Sequence, residues 1–214
     1  MKHLPTLSRR VRLLLDLVLL LALAAFWAIL AQPSFTPEMA MERAQTYYHF
    51  GPGTILRSGQ VPPPTETDLQ FLPFSFDGES HYFLLQDQGW QALILCQSDG
   101  LLWDWQWYRP AFWQPDPEAA VSCVETGGFL AGTVQDPRVA RITVHYDLTY
   151  RAVDNGPLLQ LPRSAETRDL EQGAFCLTLQ RSSYMESLTV QAYDAAGSLL
   201  WEGVPVSTGT HGIL

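Results

Sequence analysis

Lysine is almost missing from this chain: Lys2 is the single one in 214 residues. Charged residues of all kinds make up only 16%, below the roughly 25% common in soluble domains. The balance is acidic, with 13 basic against 22 acidic residues and a net charge of −9. The basic residues crowd the start, where Lys2, Arg9, Arg10 and Arg12 occur without an acid. Residues 32–214 hold 9 basic and 21 acidic residues, a net of −12. An acidic body with scattered arginines argues against a nucleic-acid partner and against docking on anionic lipid.

Other absences narrow the chemistry. The five histidines form no H-E-x-x-H or similar ligand spacing, so no metal site is expected. There is no G-x-S-x-G elbow and no Walker loop; Gly51-Pro52-Gly53-Thr54 lacks the lysine and the preceding strand. No cofactor is expected. The three cysteines, Cys96, Cys123 and Cys176, include no C-x-x-C. An odd count leaves at least one unpaired, and small buried hydrophobes is the plainer reading, with one disulfide left open. No repeat of fixed period is present.

What is there begins with a long apolar run. Residues 13–31 are apolar apart from Asp16. As a helix they would extend about 28 Å, close to the thickness of a bilayer's hydrocarbon core. Nine leucines with Val18, Phe26 and Ile29 favour insertion by roughly 6 kcal/mol, while Asp16 near the edge opposes it by about 3 at most. Arg9, Arg10 and Arg12 hold that end in the cytoplasm. A cleaved signal peptide fits less well, because Ile29-Leu30-Ala31 places a bulky residue where the cleavage site wants a small one. No cysteine follows for a lipid anchor, and a pilin-type Gly-Phe processing site is absent.

The reading that follows is a cytoplasmic tail (1–12), a transmembrane helix (13–31), a linker with a short helix (32–52), a β-meander lobe (53–118) and a β-sandwich lobe (119–214). The last two lobes could be one domain. Thr36 is a good N-cap, Pro37 fits the first helical position, and Ala40, Ala44, Tyr47 and Tyr48 recur on one face until Gly51-Pro52. Three strands over 81–109 are joined at Asp87-Gln88-Gly89 and Asp99-Gly100. The prolines of 110–118 end that meander. Strands are expected at 119–124 and 128–134. Over 141–151 Ile142, Val144, Tyr146, Leu148 and Tyr150 alternate with polar residues, a strand with one wet face. Residues 163–172 read as a polar loop. The strand Ala174-Phe175-Cys176-Leu177 and a hairpin around Asp194–Gly197 complete a mainly β body with an immunoglobulin-like sandwich at its C-terminal end.

Gly132-Thr133-Val134, Asp136-Pro137-Arg138-Val139 and, later, Tyr193-Asp194-Ala195-Ala196-Gly197 resemble the outer domains of single-pass bacterial surface proteins of unassigned function. The likeness covers residues 131–206. It implies a sandwich outside the membrane, and it carries no catalytic residues.

Two clusters invite a functional reading. Trp103, Trp105 and Trp107 fall on one face of a strand, with Trp113 close behind and Trp90 a plausible neighbour. They form either a platform for a glycan or, as the more polar opposite face suggests, one wall of a core. Asp77, Glu79, His81 and His145 could serve acid–base hydrolysis only if a cleft joins them. His145 and Asp147 share a strand face, but a metal needs a further ligand. The function expected is a non-enzymatic, membrane-tethered envelope protein that binds a protein partner in assembly or signalling. A tryptophan-based glycan module and an envelope hydrolase are the alternatives.

Overall fold

The structure, a computed structural model, describes residues 9–31, 33–61, 79–98, 104–126, 128–151, 158–179 and 184–206. Two helices come first, α1 (Arg9–Ala31) and α2 (Pro37–Tyr47). The strands are β1 (Thr54–Gln60), β2 (Ser80–Asp87), β3 (Trp90–Ser98), β4 (Trp105–Trp113), β5 (Val121–Thr126), β6 (Phe129–Val134), β7 (Arg141–Arg151), β8 (Leu158–Thr167), β9 (Ala174–Thr178), β10 (Tyr184–Tyr193) and β11 (Leu199–Gly203). The chain divides into two compact units, residues 1–34 and 35–214.

In the first unit α1 is apolar around its circumference. Its large apolar side chains from Leu13 to Phe26 are all more than half exposed. Among the described residues no helix is long and apolar enough to cross a membrane. The described side chains of α1 open with Arg9, Arg10, Arg12 and Asp16, and the side chains of 28–31, the end of the apolar run, lie outside the described set. The helix is thus a finding of the structure, and the membrane span expected over 13–31 is not.

The second unit is built in layers. Thr36 caps α2, its hydroxyl accepting from the Met39 amide at 3.3 Å, and Pro37 opens the helix. Ala40, Met41 and Ala44 bury against Phe83, Leu85, Ala92, Ile94 and Cys96 on one face of a first sheet, ordered β1-β2-β3-β4. Tyr47, expected on that buried face, is exposed beside Tyr48. The opposite face of the first sheet, with Leu84, Leu93, Leu95, Ala111 and Trp113, meets Val124, Phe129, Ala131 and Ala174 of a middle sheet, β5-β6-β9. The far face of the middle sheet, with Val121, Cys123, Leu130, Phe175 and Leu177, meets Ile142, Val144, Tyr146, Leu148, Val190 and Ala192 of a third sheet, β11-β10-β7-β8. The C-terminal part is therefore two antiparallel sheets face to face, as in a sandwich. The middle sheet is covered on both sides, a third layer that an immunoglobulin-like sandwich lacks, and its short strands are buried nearly throughout.

Two expectations fail, each for a local reason, and one strand carried no signal. Pro110 does not end the meander, because β4 continues to Trp113. Leu93 pairs with Ala111 and Leu95 with Tyr108, so Arg109 and Pro110 both stand opposite Ile94 in a bulge. On an edge strand, at a bulge, proline's missing N–H is tolerated. The polar stretch expected as a loop is strand up to Thr167: β8 is the edge strand of the third sheet, where Leu161 and Ala165 turn inward. β1 has no alternating signature at all, yet it pairs along β2 through a register shift between Ile55 and Arg57.

Candidate functional site

The tryptophans come first. Trp103 lies outside the described residues. Trp105, 9% exposed, and half-buried Trp107 face α2, where the Tyr47 ring lies 5.9 Å from that of Trp107, tilted by 40°. The bulge at Arg109 and Pro110 reverses the alternation, so Trp113 points the other way, into the core shared with the middle sheet. It is 2% exposed, and its Nε1–H donates to the Ser122 hydroxyl at 3.2 Å. A sugar stacks on an open ring face, which neither Trp105 nor Trp113 offers. Trp90 lies at the opposite end of β3 and is 48% exposed.

The acid–base candidates are dispersed. Asp77 lies outside the described residues. His81 sits on the α2 side of the first sheet, edge-on to Trp105 at 5.6 Å, with Nδ1 buried and unpartnered among the described residues. Glu79, exposed at the foot of β2, donates its amide to the Ser98 hydroxyl, and its carbonyl accepts from the Ser98 amide at 3.0 Å. His145 lies on the outer face of the third sheet, its Nε2 3.1 Å from Gln191 Oε1. Asp147 accepts from the Ser187 hydroxyl at 2.7 Å. The middle sheet lies between the sheets that carry His81 and His145. Among the described residues no group of three or more His, Cys, Asp or Glu could hold a metal ion.

Arg57 forms a polar node that sequence reasoning missed. From β1 its Nε donates to the Tyr82 hydroxyl at 3.1 Å, and its terminal nitrogens donate to the carbonyls of Asp169 and Ala174, each at 2.9 Å, and to the Asp169 carboxylate. Burial opposes its charge, but the bonds to Asp169 and Tyr82 outweigh that and hold its pKa above the usual value. Burial raises the Tyr82 pKa against the pull of Arg57. This node staples the first sheet to the segment entering β9. All three cysteines are free. Burial pushes each thiol up to about 12, with Glu38 adding to the rise at Cys96 and Arg57 opposing it at Cys176. Thiols so far from ionisation make poor nucleophiles.

A recess of about 590 Å³ opens where β1 begins and β2 ends, lined by Pro52, Gly53, Thr54, Leu56, Gln86, Asp87 and Gln88. Gln88 and Gly89 both adopt positive φ, 46° and 83°, making the tight two-residue turn between β2 and β3. Behind the recess the Gln45 side-chain amide donates to the Gly51 carbonyl at 3.0 Å and fixes the loop between α2 and β1. The hairpin turn was legible from Gln88-Gly89, but the recess was not. It joins residues 52–56 with 86–88, which only the β1–β2 pairing brings together.

The layered antiparallel sheets and the single helix on their first face place the chain among mainly β proteins. The family described as a domain of unknown function (DUF5044) matches over residues 33–209, and the chain belongs to it. No curated protein and no solved structure matches the chain.

Proposed function

We propose that this chain is a membrane-tethered, non-enzymatic binding protein. The apolar stretch at 13–31 crosses the plasma membrane once with the arginine-flanked end in the cytoplasm. The β body then stands on the extracytoplasmic side and holds a protein partner in an envelope assembly or signalling system. The observation that carries the tether is the apolar surface of α1, where the leucines from Leu13 to Leu23 and Phe26 are each more than half exposed. A helix apolar on every side belongs in an apolar medium, and a water-exposed patch of that extent would associate. Arg9, Arg10 and Arg12 supply the inward-facing charge, while the body that would translocate is acidic.

The binding role is supported by what the acid–base groups do. Among the described residues His81 packs on Trp105, while His145 and Asp147 bond to neighbours on another sheet, an arrangement that favours binding over hydrolysis. A glycan module built on Trp103, Trp105, Trp107 and Trp113 is disfavoured by the enclosure of Trp105 and Trp113.

The test is fractionation of cells making the full chain, followed by an alkaline wash of the membranes and protease treatment of intact cells. The chain should sediment with membranes, resist the wash and lose its body to external protease. A freely soluble chain, or a body untouched by protease, overturns the reading.

A further inference from the structure

We infer that the recess beside the β2–β3 hairpin receives a basic side chain, lysine or arginine, from a segment of the protein partner. This rests on the partner-binding half of the proposed function and not on the membrane tether.

The lining contains one charged residue, Asp87, and no cation. Among the described residues the Asp87 carboxylate takes part in no hydrogen bond or ion pair. It is half-buried and wedged against Gly51: a Cβ on Gly51 would lie 2.4 Å from Asp87 Oδ2. Space for that carboxylate exists only because residue 51 has no side chain. A partly desolvated, unpaired carboxylate in a fixed pocket gains most from a cation that brings its own hydrogen-bond donors.

The second element is Trp90, which pairs with Asp87 across the hairpin. Side chains opposite each other in such a pair have their Cβ atoms about 5 Å apart on one face of the sheet, so Trp90, which is not among the residues lining the recess, projects beside Asp87. The ring is about half open to solvent. A guanidinium or ammonium placed there meets the carboxylate on one side and the ring face on the other. Arg57, the cation of the neighbouring strand, is committed to Tyr82, Asp169 and Ala174 and cannot fill the role.

Charge chooses among ligand classes. An anion finds no positive group in the lining, and the −12 body repels it. A neutral saccharide could use the ring and the amides of Gln86 and Gln88, but would leave Asp87 without its counter-charge. A basic segment satisfies the pocket and is also drawn by the long-range field of the body.

The experiment uses the full chain in detergent micelles and three probes: an acetylated pentapeptide with two arginines among glycines, its twin with citrulline for arginine, and cellohexaose. Binding is read by calorimetry. The arginine peptide should bind roughly tenfold more tightly than the citrulline peptide, with cellohexaose inert. Asp87→Asn and Trp90→Ala should each weaken it about fivefold or more, while Glu118→Gln, a remote exposed acid, should not. Trp90→Leu serves as the second variant should Trp90→Ala fail to unfold cooperatively. Equal binding of the two peptides, equal losses for Asp87→Asn and Glu118→Gln, or preferential binding of cellohexaose overturns the inference. The fractionation experiment is read separately, so either can fail while the other stands.

Discussion

Trp113 in β4 donates its indole N–H to the Ser122 hydroxyl in β5 at 3.2 Å, with both residues buried. This bond crosses from the first sheet to the middle sheet inside their shared core. Ser122→Ala leaves the indole N–H without an acceptor, and a buried unsatisfied donor costs about 1–3 kcal/mol. Urea unfolding of the full chain in micelles should show a loss of that order. In Trp113→Phe the same serine change should cost less, because the orphaned donor is gone. Equal costs in the two backgrounds would show that the bond contributes nothing specific.

Arg57 makes the corresponding link at the sheet edge. Arg57→Met keeps much of the stem's packing but removes every bond to Tyr82, Asp169 and Ala174. Hydrogen bonds from a charged donor are worth about 1.5–3 kcal/mol, so a destabilisation of roughly that size is expected. Faster amide exchange should concentrate in β1 and spare β3. Asp169→Asn should cost under about 1 kcal/mol, because its side chain is 67% exposed and solvent screens the pair.

Asp136 gives a pH prediction. Its carboxylate accepts from the Arg138 side chain and backbone amide, and these bonds lower its pKa to about 2. A depressed acid contributes stability above its unfolded pKa, near 3.9, and loses it as pH falls through the folded value. The carboxyl carbon signal of Asp136 should therefore titrate with a midpoint about 2. Arg138→Ala should raise that midpoint toward about 3.9. A wild-type midpoint already near that value would remove the turn bonds from the account.

The turn motifs of the C-terminal part were legible because their chemistry is local. Asp136 closes the turn into β7, with Val139 donating back to its carbonyl. Asp194 accepts from the amides of Ala196 and Ser198, and Gly197 takes φ 86°. Gly132, in the same motif set, is explained only by its neighbours: a Cβ there would meet the Ser122 carbonyl oxygen at 2.2 Å. The β7 alternation was equally plain, since one face meets the core and the other meets water. β1 and β8 were not, because edge strands with little to bury carry almost no periodic signal.

The tryptophan cluster shows the limit most clearly. Spacing two apart placed Trp105 and Trp107 on one face, which holds. It could not place Trp113, because one extra residue opposite Ile94 inverts every side chain beyond it. By itself the sequence determined the apolar start, the acidic mainly β body and its tight turns, since these depend on composition and on neighbours a few residues apart. Only the tertiary structure decided which strands share a layer, where Arg57 anchors, and that residues 52–56 and 86–88 meet around one recess. Those depend on pairings between distant segments, and a one-residue shift in register changes which side chains face each other.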